Sequence, residues 1–240
     1  MNTMSAVLRT DKSVLPLTDR AYHALRQALI RCEFEPGQRL RVEDLQRRFG
    51  LSSSPLREAL NRLVQHGLVN SFENRGFRVA PITVEAINDL TRVRLLIETE
   101  ALKDALKHGD DLWEGAVVAT FHNLSLVEKR LADTALVLDE NWSERHRAFH
   151  LSIYSACSSP ILLGLVENLF DHAERFRLFS ARHRKVVRSK GNEHKNIVDA
   201  VLARDQEQAV KLVQQHIRST ERNVSESLQS LSKDQLAVLA

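Results

Sequence analysis

The chain has 240 residues, 43% of them hydrophobic, which is enough to bury a sizeable core and suits two domains. Two cysteines, Cys32 and Cys157, exclude a disulfide framework and have no metal-ligand spacing, so both are expected to be reduced and packed. No apolar run approaches the roughly 20 residues that cross a bilayer, and the polar start MNTMSAVLRTDKS lacks a signal-peptide core, so a cytoplasmic protein with no membrane partner is expected.

Residues 1–16 read as a flexible arm. The basic part of the chain follows. Residues 1–80 hold 13 Lys plus Arg against 8 Asp plus Glu, net +5, and twelve of those cations are Arg; residues 81–240 hold 21 against 23, net −2. Arginine's planar fork suits phosphates and guanine edges. Val42, Leu45 and Phe49 make one apolar face of a short helix that Gly50 stops as a left-handed cap. Ser53 or Ser54 is expected to cap the next helix, with Pro55 in its first turn, Glu58 favouring the N-terminal dipole, and Leu56, Leu60, Leu63 and Val64 as its buried face. Gly67 ends it. Leu68, Val69 and Phe72, then Phe77 and Val79, flank the polar run Glu73-Asn74-Arg75-Gly76, which reads as two short strands joined by a tight turn. Helix, turn, helix and basic hairpin make a winged helix-turn-helix over residues 17–80. Its second helix carries Arg57 and its wing tip Arg75, the arginines best placed to meet DNA.

The run Leu17 to Val79 resembles the DNA-binding domain of the GntR family of bacterial transcriptional regulators. The matching signposts are Ala24 to Ile30, Pro36-Gly37 with Leu40, Pro55-Leu56-Arg57-Glu58-Ala59-Leu60, Gly67-Leu68-Val69 and Arg75-Gly76-Phe77. The resemblance implies that Arg57 contacts double-stranded operator DNA from the recognition helix, that Ser52 and Ser54 lie at its groove-facing start, and that Arg75 with Gly76 reaches the minor groove. Many members place an Arg where this chain has Ser53, which bears on the operator sequence read rather than on DNA binding itself.

From Pro81 to about residue 230 the pattern is all-helical, and a bundle of six or seven antiparallel helices is expected, making the whole chain mainly α. Thr83 caps a helix running to about Lys107. Further helices are expected over Asp111 to Leu131, Leu138 to Ala156, Pro160 to about Ala181, His194 to Ala203 and Asp205 to Leu228, with breaks at Ser158-Ser159-Pro160, Ser189-Lys190-Gly191 and Arg204-Asp205. Residues 231–240 read as a frayed tail. His146 and His150, four apart, project about 40° from one another on one helix face that Ile153 and Tyr154 continue. His194 leads Ile197, Val198 and Val201, and His216 follows Ala209, Leu212 and Val213, at helical offsets. All four imidazoles therefore point inward. They either hydrogen-bond singly inside polar pockets or converge on a divalent ion, Zn²⁺ before Ni, Mn or Fe. His172, on a face with Leu165, Leu169 and Phe176, is also inward.

Residues 82 to about 220 resemble the FCD-type ligand-binding domain of the FadR subfamily. There a D-x-x-x-H pair, a Glu-His pair and a later His form the metal site; here the positions read His146 to His150, Glu193-His194 and His216, with His146 in place of Asp. That exchange makes the site one negative charge poorer and favours an anionic effector. Arg94-Leu95-Leu96-Ile97-Glu98 is similar to the R-x-x-L-E signature, implying that Arg94 grips a carboxylate effector, unless it only pairs with Glu98 along the helix. Arg175 and His172 are further effector candidates, and Ser159 stands where an Asn is common. The expected protein is a homodimeric regulator, not an enzyme, that binds a pseudo-palindrome and responds to a small carboxylate. Two rivals are a metal-dependent hydrolase, weakened because Glu144 and Glu193 point away from the imidazoles they adjoin, and a DNA-binding protein whose bundle only dimerises.

Overall fold

A computed structural model describes residues 15–73, 75–131, 140–183 and 192–230. The arm expected over residues 1–16, apart from its last two residues, and the tail at 231–240 lie outside them, as does the break at Ser189-Lys190-Gly191. The chain divides between Ala80 and Pro81 into two compact units.

In the first unit the elements are α1 (Leu17–Ile30), β1 (Arg39–Leu40), α2 (Val42–Phe49), α3 (Ser53–Gln65), β2 (Val69–Phe72) and β3 (Gly76–Val79). Gly50 ends α2 at φ 64°, a left-handed conformation that costs glycine nothing and most side chains about 1 kcal/mol. Residue 52 rather than 53 or 54 is the N-cap of α3, and its side chain makes no capping bond; Ser53 and Ser54 already lie in the helix, with Pro55 still in the first turn, where it tolerates the missing N–H. Leu56, Leu60 and Leu63 are fully buried against Leu25, Leu29 and Leu45, while Val64 is only partly covered. The two-residue strand β1, absent from the sequence expectation, extends the hairpin to a sheet of order β1-β3-β2, antiparallel throughout. Phe77 turns into the core while Phe72, at the strand end, stays exposed.

The second unit contains, among the described residues, the helices α4 (Val84–His108), α5 (Asp111–Leu131), α6 (Glu140–Tyr154), α7 (Pro160–His183), α8 (Glu193–Leu202) and α9 (Gln206–Gln229). Thr83 caps α4 by accepting from the Ala86 N–H at 3.1 Å. The start expected at Leu138 lies outside the described residues. Between α4 and α5 the backbone of Gly109 lies so close to Trp113 that a Cβ there would sit 2.1 Å from the indole. Arg204, at φ 56° in the α8 to α9 turn, covers that indole at 4.8 Å and donates to the Gly109 and Leu106 carbonyls. α4 packs on α9 and α7, and α5 on α6, around Trp142, Phe149, Tyr154, Ile197 and Val201. No helix among the described residues is long and apolar enough to cross a membrane.

Candidate DNA-binding face and metal centre

Ion pairing divides the arginines of the first unit. Arg47 pairs with Asp44, Arg48 with Glu33, and Arg62 with Asp19. Arg57 projects from α3 into solvent, as do Ser52, Ser53 and Ser54 at its start, and Arg75 stands exposed beside Gly76 (φ 79°) at the wing. No carboxylate pairs with Arg57 or Arg75 among the described residues.

In the helical unit α6, α8 and α9 bring His146, His150, His194 and His216 together. One nitrogen of each lies within 4.8 Å of one from each of the others. His146 Nε2 and His150 Nε2 are 3.1 Å apart, and the ring centroids of His194 and His216 are 5.1 Å apart. An ion held at 2.0–2.1 Å from four nitrogens needs them about 3.4 Å apart, so the side chains would close by an ångström or so at most. Three of the four rings are buried; His216 lies at the rim. Trp142 stacks on His146 at 4.2 Å and fixes that ring's plane.

Carboxylates stand behind three rings. Glu193 Oε2 lies 2.9 Å from His216 Nδ1, Glu128 Oε1 3.4 Å from His194 Nδ1, and Glu174 Oε2 3.8 Å from His146 Nδ1. Of the three only the Glu193 contact is a hydrogen bond, and it selects the His216 tautomer that leaves Nε2 as the metal-ligating atom, while Glu128 and Glu174 supply negative charge beside His194 and His146. None of these acids was assigned from sequence as a partner of an imidazole. Glu193 does point away from its neighbour His194, as expected, but reaches His216 instead. Glu144 is exposed.

The rings of His146, His150 and His216 open on a recess of about 20 Å³, space for about one water, whose wall also includes Arg94, Phe170, Glu174 and Arg177. Arg94 is buried and held by Glu98 through Nε at 2.5 Å and Nη2 at 3.3 Å, while the Tyr154 hydroxyl donates to Glu98 at 2.9 Å. The helix pair and the inward position therefore hold together. Burial pulls the Arg94 guanidinium toward neutrality, but the charge and hydrogen bonds of Glu98 outweigh it and keep the group above its ordinary pKa; burial, then Glu98, push the Tyr154 hydroxyl well up. Arg175 is buried and His172 half-buried, yet neither is in the wall of this recess. Arg177 occupies the place expected of Arg175, stacked 4.2 Å over Trp142 and paired with Glu174. A larger cleft of about 310 Å³ between α6 and α7 has mostly apolar walls with Glu167 as its one ionisable carboxylate, and gathers no set of ligand atoms.

Family comparison decides the class of this molecule. Residues 17–79 match the model for bacterial regulatory proteins of the gntR family, and residues 89–219 match the FCD domain. The chain belongs to the GntR family. Among its relatives in that family, the HTH-type transcriptional regulator BphR of Paraburkholderia xenovorans is 35% identical over 208 residues, 87% of this chain and 85% of BphR. The HTH-type transcriptional repressor GlaR of Escherichia coli is 36% identical over 200 residues, 82% of this chain and 90% of GlaR. The solved structure of E. coli McbR/YncC, at 21% identity, superposes with a TM-score of 0.72 over 90% of this chain and 99% of that one, and shows the fold. As a GntR protein the chain is a DNA-binding transcriptional regulator and not an enzyme, which sets the hydrolase aside.

Proposed function

We propose that this regulator is a repressor of genes for the catabolism of a small organic acid, acting in the cytoplasm as a homodimer on a pseudo-palindromic operator and released by a carboxylate. The observation that carries this reading is the cluster of His146, His150, His194 and His216, three of which, His146, His150 and His216, line a recess that also holds Arg94. Arg57 reads base edges from α3, Ser52, Ser53 and Ser54 line the start of that helix, and Arg75 with Gly76 enters the minor groove. The name of GlaR supports the repressing sign.

The four imidazoles suit a divalent ion of nitrogen preference, Zn²⁺ first, with Ni²⁺, Mn²⁺ or Fe²⁺ as alternatives. When bound, such an ion supplies a Lewis-acid contact for a carboxylate oxygen. His146 contributes no charge, so Glu128, Glu174, Glu193 and an arriving anion do the balancing. Arg94 keeps N–H donors that Glu98 does not use and is the group placed to donate to the anion's second oxygen. Arg177, rather than Arg175 or His172, stands beside it. For release to follow, the carboxylate must bind the arrangement that is not competent for DNA more tightly.

The test uses a duplex selected by the protein from a random-sequence pool. A panel of short mono- and dicarboxylates added to metal-loaded protein should contain a member that lowers affinity for that duplex by roughly 5- to 150-fold, and EDTA or His150→Ala should abolish the effect. A response that survives both, or no response to any acid, would refute the reading.

A further inference from the structure

We propose that the outer face of the wing sheet is a second DNA-contact site, in which Arg39 and Arg78 clamp backbone phosphates. This rests on the DNA-binding reading above and adds residues that it does not use. In the sheet order β1-β3-β2, Arg39 is the direct partner of Arg78 and Arg78 of Asn70. Directly opposed residues on antiparallel strands share a face, with Cβ atoms about 4.5–5.5 Å apart. All three are exposed, whereas Leu40, Phe77, Val79 and Val69 turn to the core. The result is a row of two guanidiniums and one amide across the sheet.

Like charges in that relation destabilise a sheet unless something of opposite sign lies over them. Within this unit Asp44, Glu33 and Asp19 hold Arg47, Arg48 and Arg62, Glu58 accepts from Thr18, and neither Glu35 nor Glu43 makes an ion pair with the sheet arginines. Among the described residues no carboxylate pairs with Arg39, Arg78 or Arg41, which is exposed just after β1. The hairpin's acid, Glu73, makes no ion pair with them either. Arg78 Nη1 donates to the Gly37 carbonyl at 3.0 Å, which lays its guanidinium toward β1 and leaves its other N–H groups outward. Arg75 lies three residues ahead, about 10 Å along the strand. A wing tip seated in a minor groove about 6 Å wide therefore places the row over the phosphates that border the groove. A polyanionic backbone is the partner that this row fits.

Each neutralised phosphate contributes about 0.9 to the slope of log affinity against log salt. The experiment titrates a labelled duplex of arbitrary sequence at salt concentrations from about 50 to 200 mM. Arg39→Gln with Arg78→Gln should flatten the slope by about two, so that the variant loses roughly tenfold less affinity than wild type across that range. Arg78→Lys keeps the charge but not the planar fork and should retain the wild-type slope. Arg57→Ala should instead cost most on a selected duplex and little on an arbitrary one. An unchanged slope in the double Gln variant overturns the site, and so does a flattened slope in Arg78→Lys, which would assign Arg78 to the Gly37 carbonyl alone. Wild-type protein that binds no duplex would overturn the DNA-binding reading and this site together; wild-type binding with an unaltered variant overturns only the latter.

Discussion

At Gly109 the absence of one methyl group decides how α4 hands over to α5. The Trp113 ring lies against the glycine, its Nε1–H donates to the Ser152 carbonyl at 2.9 Å, and Arg204 closes the other side. An alanine would drive its Cβ into the indole core rather than into a flexible chain end, so either the ring or the corner must move. Gly109→Ala should cost about 1–3 kcal/mol, seen as a lower urea midpoint followed by tryptophan fluorescence; an unchanged midpoint would mean that the corner yields freely. The same scale governs Arg94 and Glu98. Both are buried, so removing either strands the other's charge, and effector tests are cleaner at His150 than at Arg94.

Between elements, a polar ladder ties α3 to α1. Thr18 donates to Glu58, Asp19 pairs with Arg62, and the Tyr22 hydroxyl lies 2.7 Å from His66 Nδ1, with Arg62 stacked 4.2 Å over Tyr22. Burial first, then the charges of Arg26 and Arg62, lower the His66 pKa. The unfolded chain, with an imidazole near its ordinary value of about 6.5, therefore binds the proton before the folded one does. Stability from this contact is complete above that value and lost as pH falls from it to the lower folded value. Urea melts of residues 1–80, taken at several pH values within wild-type protein, should show this fall, and His66→Gln should flatten it; an equal fall in the variant would assign the loss to other groups. Much of this layer was legible in the sequence. Gly50, Gly67 and Thr83 announced their helix ends because caps have their own chemistry, and the four histidine faces followed from the 3.6-residue period. β1 did not show, since two residues carry no period. α7 was misread because its second half, Phe170 to Ser180, is buried on almost every side, whereas Leu165 on the expected inward face is exposed. Periodicity set Leu165, Leu169, His172 and Phe176 on one inward face, but the histidines meet the neighbouring one, Phe170, Ala173, Glu174 and Arg177. The carboxylate behind His194 comes from α5, about 66 residues away in sequence, a relation that only tertiary packing creates.

For the whole molecule, four imidazoles in one place are costly when nothing fills them, and an occupant stabilises only the unit that holds it. An ion at a hundred times its dissociation constant adds about 2.7 kcal/mol. In calorimetry EDTA should therefore lower the melting of the helical unit and spare that of the winged one, with Zn²⁺ restoring it; equal melting with and without chelator would count against the ion. The recess beside those rings has a further consequence, for timing. With space for about one water, it would admit the carboxylate proposed above only once the side chains or helices around it part, so under that reading a step of opening, and not encounter alone, would limit how fast the regulator responds.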